Sequence, residues 1–136
     1  MRLSMKQGLS KNATISNCIV IPLPLTDLNV YINKERGHRQ AAAKVKKAMT
    51  YKCQTYIMRA MQLGVTFPTP CRLKFTWIIP DKRKDPDNIA FAKKFIFDGM
   101  MAAGMIENDN LNHILGFSDH FIISKEEESR VIVEVE

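Results

Sequence analysis

Residues 71–104 read CRLKFTWIIPDKRKDPDNIAFAKKFIFDGMMAAG, a stretch that passes from strand to charged loop to helix. In Cys71–Ile79, Leu73, Phe75, Trp77 and Ile79 alternate with Arg72, Lys74 and Thr76. That period of two predicts a half-buried strand. Pro80–Lys84 is a charged loop. Asp85-Pro86-Asp87 then carries a helix-start signal, because proline fits the first helical position and an acid before it can cap the free N–H groups. The helix is predicted to run to about Ala103 and to stop at Gly104.

The flanking sequence completes the pattern. Asn33 to Leu63 reads as a long helix, with Ala42, Val45, Met49, Cys53, Tyr56, Ala60 and Leu63 spaced three or four apart on one face. Gly64 is placed to cap it, and Gly37 weakens its first turn, so the helix begins nearer Arg39. Arg36, Arg39, Lys44, Lys46, Lys47, Lys52 and Arg59 fall off the apolar stripe. Cys18–Leu25 (CIVIPLPL) is apolar, and Pro22 and Pro24 place it at a sheet edge. Leu111–Phe117 and His120–Ser124 read as two strand pieces, and Arg130–Glu136 as a final strand. Residues 1–16 read as a flexible arm before a domain at 17–136. The order β-α-β-α-β-β, with no repeat and no linker, predicts one layered α/β (α+β) domain: a mixed sheet with two main helices.

Length and composition agree with this. A chain of 136 residues suits one domain and buries about two-thirds of its unfolded surface, which suffices without disulfides or metal. The 46% hydrophobic and 25% charged content excludes a disordered or fibrous protein. Cys18, Cys53 and Cys71 are odd in number and lack CxxC spacing, which points to a reduced, cytoplasmic protein. No apolar run reaches the ~18–20 residues of a membrane span, and the polar start MRLSMKQGLSKNATIS is unlike a signal peptide. Charge divides sharply along the chain. Through Lys84 there are 16 Lys/Arg and three acids, a net of +13; from Asp85 onward there are four Lys/Arg and eleven acids, a net of −7. A basic half attracts polyanions. The acidic half repels them unless a cation intervenes.

The chemistry concentrates in residues 82–110, KRKDPDNIAFAKKFIFDGMMAAGMIENDN. Asp85 and Asp87 stand together at the strand-to-helix junction. Lys94 and Asp98 lie seven and eleven residues beyond Asp87, on roughly one helical face. Glu107-Asn108-Asp109 follows the Gly104 break on a loop able to return beside the helix start. Neighbouring carboxylates must share a proton, stay in water or bind a cation. A hard ion such as Mg²⁺ takes oxygen ligands and keeps waters that can reach a phosphodiester. Asp85, Asp87 and Asp109 are therefore candidate metal ligands, with Lys94 a candidate to neutralise developing charge. Lys82, Arg83 and Lys84 are candidates to hold backbone phosphates. Plainer readings exist for each: Asp85 as a cap worth ~1 kcal/mol, Asp87 as a favourable first-turn acid, Lys94 and Asp98 as an exposed pair, and 107–109 as a polar turn.

The series D-P-D-N, K-K-F-I-F-D-G and A-G-M-I-E-N-D resembles the RusA family of Holliday-junction resolvases, often carried by phages and prophages. The likeness covers about 30 contiguous residues, 82–113, and extends loosely to the basic helix and the closing strand. It implies a RusA-like fold and a Mg²⁺-dependent endonuclease, with Mn²⁺ able to substitute. It implies a homodimer in which each subunit nicks one strand of a four-way DNA junction, in recombination and repair. Asp85 and Asp87 match the paired aspartates of the family motif, and Asp109 matches its third acid. Lys94 matches the helix lysine when counted back from Phe97-Asp98. The segment is about three residues longer than in enteric-type members, which leaves Lys93 as the alternative. Asn108 stands where many members carry an acid, with Glu107 a possible substitute ligand. Arg36, Arg39, Lys44, Lys47 and Lys82–Lys84 are the expected DNA contacts, and Asn88 is expected to position a carboxylate or a water.

Of the histidines, His113 is expected to be a bystander to the acid turn, His38 a phosphate contact, and His120 has no assigned role. Met100–Met105 and the long-helix stripe are candidate dimer surfaces, with core filling the plainer reading of the methionines. Three rivals remain: a non-catalytic basic DNA-binding protein, a metal-dependent nuclease for other branched DNA or RNA, and a structural partner in a replication complex.

Overall fold

The computed structural model describes residues 16–25, 31, 33, 36, 37 and 39–136. The expected arm at 1–16 lies, but for Ser16, outside the described residues, as does His38. The elements are β1 (Cys18–Pro22), α1 (Arg39–Gln62), β2 (Cys71–Ile79), α2 (Pro86–Ala90), α3 (Lys93–Ala103), β3 (Ile114–Ile123) and β4 (Arg130–Val135). The strands form a mixed sheet in the order β1-β4-β2-β3, with β2 and β3 parallel and the other neighbours antiparallel. The mixed α/β architecture expected from the alternation is present, with β1 at an edge. No helix among the described residues is long and apolar enough to cross a membrane.

One face of the sheet carries the core. Ile19, Ile21, Leu73, Phe75, Trp77, Val131 and Val133 are in register and fully buried. Phe95, Ile96 and Met100 of α3 and Cys53 and Ile57 of α1 are buried with them. β2 is central, so Thr76 and Ile78 on its other face are buried too, beyond the half-burial expected. In α1 the stripe holds at Ala42 and Cys53, whereas Leu63 is 65% exposed and Ile57 takes the buried position. Met100 is core, and Met101 and Met105 pack against it.

Two expectations are corrected. The predicted single helix from Asp85 to Ala103 is two helices. At Phe91 and Ala92 the backbone tightens, with Lys94 N–H donating to Phe91 O at 3.0 Å and Phe95 N–H to Ala92 O at 3.0 Å. This three-residue spacing interrupts the regular α-helical hydrogen bonding, so α2 and α3 are separate elements. Gly104, at φ 79°, ends α3 as expected. Likewise, the two predicted strand pieces around Ser118 are one ten-residue strand, β3. Its ladder to β2 carries an irregularity: Cys71 faces Ile114, but Arg72 faces Gly116, leaving Leu115 as an extra residue. Such a bulge exchanges the two faces of the strand. Phe117 and Asp119, opposite Leu73 and Phe75, thereby lie on the helix side.

α1 and α3 approach closely at Gly99. A Cβ there would stand 2.8 Å from Cys53 Cβ and 2.9 Å from the Gln54 backbone nitrogen. Gly99→Ala gains about 1 kcal/mol of helix propensity, but the crossing must open to admit the methyl group. A net loss of about 1–3 kcal/mol is expected from overpacking, measured by urea denaturation. Cys53 lies in the same contact. Burial pushes its thiol up from 9.0 to about 12, with Lys52 opposing the rise and Asp98 adding to it. The unfolded thiol therefore ionises first. Its contribution to stability is complete below pH 9 and falls away as pH rises from 9 toward 12. Cys53→Ala should make the unfolding free energy fall less steeply across that window.

Candidate active site

α2, α3, the turn after Gly104, and β3 meet at one open cavity of about 600 Å³. It is lined by Asp87, Lys93, Lys94, Asp109 and Asp119, with Phe91, Phe97 and Phe117 among its apolar walls. Asp87 is in the first turn of α2, whose start is built as expected: Asp85 O accepts from Asn88 N–H and Ile89 N–H, both at 3.1 Å. The Asp85 carboxylate makes no capping hydrogen bond and does not line the cavity. Asn88 is buried beneath the junction.

Asp109 arrives on a turn assembled from short polar side chains. Asn108 Oδ1 accepts from Asn110 N–H at 3.1 Å, and Asn110 Oδ1 accepts from Asn112 N–H at 3.0 Å. His113 spans the turn, with Nε2 3.0 Å from Glu107 Oε1 and Nδ1 3.1 Å from Asn110 Oδ1. Its carbonyl accepts from Cys71 N–H at 3.0 Å, tying the turn to β2. His113 thus shapes the acid turn, Glu107 is turned toward it, and Asn108 is a turn-former. Asp109 is the carboxylate of this segment that lines the cavity together with Asp87.

The lysines differ. Both stand in the first turn of α3, which contains no acid, although cations there oppose the helix dipole by about 0.3–1 kcal/mol each. Lys94 is exposed. Lys93 is largely covered, its Nζ donating to Asp119 Oδ2 at 2.5 Å and lying 4.6 Å from the Phe117 ring centroid and 5.7 Å from that of Phe75. Asp119 Oδ1 in turn accepts from Trp77 Nε1 at 2.9 Å. Asp119 was missed in the sequence because it falls in the apparent gap between two strand pieces. Asp98, expected on the Asp87 face, does not line the cavity; its charge acts instead on the Cys53 thiol.

A hard cation suits carboxylate oxygens that face an open space. Yet among the described residues no three His, Cys, Asp or Glu side chains are gathered closely enough to hold a metal ion. Asp87, Asp109 and Asp119 share the cavity without forming such a three-carboxylate cluster. Arg36, Arg39, Lys44, Lys47, Lys82, Arg83 and Lys84 are all exposed. Arg83 and Lys84 line a neighbouring apolar cavity of about 380 Å³ floored by Trp77, Ile79 and Ile89, and Arg83 Nε lies 3.5 Å from Asp81. His120 Nε2 is 3.2 Å from Ser118 Oγ, away from the acids.

Neither the family models nor the curated proteins include a match to this chain.

Proposed function

We propose that this protein is a metal-dependent endonuclease for branched DNA, of the RusA-like junction-resolving kind, acting as a homodimer. The observation that carries the reading is the meeting of Asp87 and Asp109, from segments 22 residues apart, with Lys93 and Lys94 around one open cavity. Acids from separate elements facing two lysines suit a phosphodiester better than they suit helix capping. The exposed basic residues of α1 and of the loop before α2 supply sequence-independent attraction to the DNA backbone. Asp87 and Asp109 would hold a Mg²⁺ ion. When bound, the ion supplies Lewis-acid polarisation and a nucleophilic water.

The chain's own residues do the rest. A lysine on the cavity wall opposes charge building on the phosphoryl oxygens. Water adds to phosphorus, the bond to one sugar oxygen breaks, and that oxygen leaves protonated as a hydroxyl. Two such sites related by a two-fold axis match the two equivalent strands of a four-way junction.

The test is incubation with a four-way junction, a flap, a linear duplex and a folded RNA, each with Mg²⁺ and with chelator. Paired nicks in the junction, dependent on Mg²⁺, are expected, together with a dimeric mass in solution. Binding that persists in chelator without nicking on metal addition would establish the non-catalytic rival. Cutting confined to flap or RNA would establish the other nuclease class.

A further inference from the structure

We infer that Asp119 is a positioning residue that makes Lys93, rather than Lys94, the lysine presented to a scissile phosphate; this rests on the nuclease reading above. The two oxygens of Asp119 have different partners. Oδ1 accepts from the indole N–H of Trp77, which is fully buried and held by the sheet, and Oδ2 accepts from Lys93 Nζ. The carboxylate is thereby fixed by the core before it meets the lysine.

Lysine carries a long, mobile side chain, and its ammonium seldom keeps one place without a partner. Here it has two kinds of support: the Asp119 oxygen on one side and the Phe117 and Phe75 rings on the other. An ammonium has three N–H donors. One is used on Asp119, so the others remain for a ligand entering the cavity that Lys93 lines. Among the described residues, Lys94 makes no ion pair and stands exposed at the cavity mouth.

A purely structural ion pair gives a weaker account. Pairs of this partial exposure contribute little to stability, and a lysine opening a helix is unfavourable to it. The arrangement does accomplish one thing well, which is to hold a cation in place in the cavity that Asp87 and Asp109 also line.

The experiment compares Asp119→Asn, Lys93→Ala, Lys94→Ala and the Asp119→Asn/Lys93→Ala double variant. Steady-state cleavage of whichever substrate the wild type cuts is measured alongside pulsed acetylation of lysines read by mass spectrometry. Asparagine keeps an acceptor for Trp77 while removing the charge that holds Lys93. Asp119→Asn is expected to lower kcat roughly 10–100-fold with KM changed less than about threefold. The double variant should be no slower than Lys93→Ala alone, because Asp119 acts through Lys93. Lys94→Ala should raise KM more than it lowers kcat. In the labelling arm, Lys93 should acetylate at least about tenfold more slowly than Lys94 in the wild type, and Asp119→Asn should erase that difference.

A full kcat in Asp119→Asn, multiplicative losses in the double variant, or Lys93 labelling that ignores residue 119 would each overturn the inference. A wild type that cuts none of the substrates would sink the nuclease reading and with it the catalytic role of Lys93. The labelling contrast would then still decide whether Asp119 holds Lys93 in place.

Discussion

Asp87→Asn is expected to reduce cleavage of a four-way junction by more than about a hundredfold, with binding of the same junction equal to or tighter than that of the wild type. Asp87 is exposed and lines the cavity facing Asp109, Lys93 and Lys94. In the absence of metal, its charge repels an incoming phosphate, and the amide removes that repulsion. The same substitution takes away a carboxylate that would hold the ion. α2 should survive, because its first hydrogen bonds are made by the Asp85 carbonyl and an exposed first-turn acid contributes only a few tenths of a kcal/mol. Nicking of a labelled junction and gel-shift binding in chelator give the two measurements. Cleavage at the parent rate would remove Asp87 from the site, whereas joint loss of cleavage and binding would make it a structural residue.

Phe75→Ala is expected to produce the largest loss of stability of any substitution considered, about 3–5 kcal/mol, measured as a lowered denaturation midpoint with an unchanged slope. Phe75 is fully buried at the centre of β2. Its ring stacks on Trp77 at 6.2 Å between centroids and meets Phe97 and Phe117 edge-on at 5.7 and 6.1 Å. Truncation opens a cavity that β-sheet neighbours on both sides cannot collapse to fill. It also removes one of the two rings beneath the Lys93 ammonium. Conditions that keep the variant folded should therefore still show impaired cleavage. An aromatic cluster that stabilises the sheet and backs the candidate site couples the two properties, a pairing common where a rigid scaffold supports a reactive surface.

Much of this arrangement was legible beforehand. Local signals sufficed for β2, for the start of α2 at Pro86 and for the stop at Gly104, since each rests on side-chain alternation or on the backbone limits of proline and glycine. That the turn carrying Asp109 is able to return toward the start of α2 was also readable, from a helix that ends at Gly104 and a polar turn that follows; both Asp87 and Asp109 line the one cavity. Asp119 was not readable. Its side depends on an irregular pairing that only the partner strand reveals, and its value depends on Trp77, 42 residues away. The break at Phe91-Ala92 was hidden as well, because both residues are compatible with a continuous helix and tertiary packing decides the matter. Lys93 and Lys94 could not be told apart for the same reason: adjacent positions in a helix point about 100° apart, and the break determines which of them meets Asp119.

The unmatched Leu115 gives chain length an unusual importance at the start of β3. Side chains on a strand face alternate sides, so one added residue works like an odd step in a two-colour sequence: everything downstream changes colour. Ile114 and Phe117 share the inner colour only because an odd residue intervenes. A strand of the same length that paired regularly, without setting Leu115 aside, would bring Ser118 and His120 inward and send the carboxylate at 119 to the opposite surface. Deleting Leu115 would instead leave the inner face as it is, because Ile114 and Phe117 would then stand two steps apart; the bulge lets the strand carry one residue more than its partner while keeping Asp119 beside Lys93.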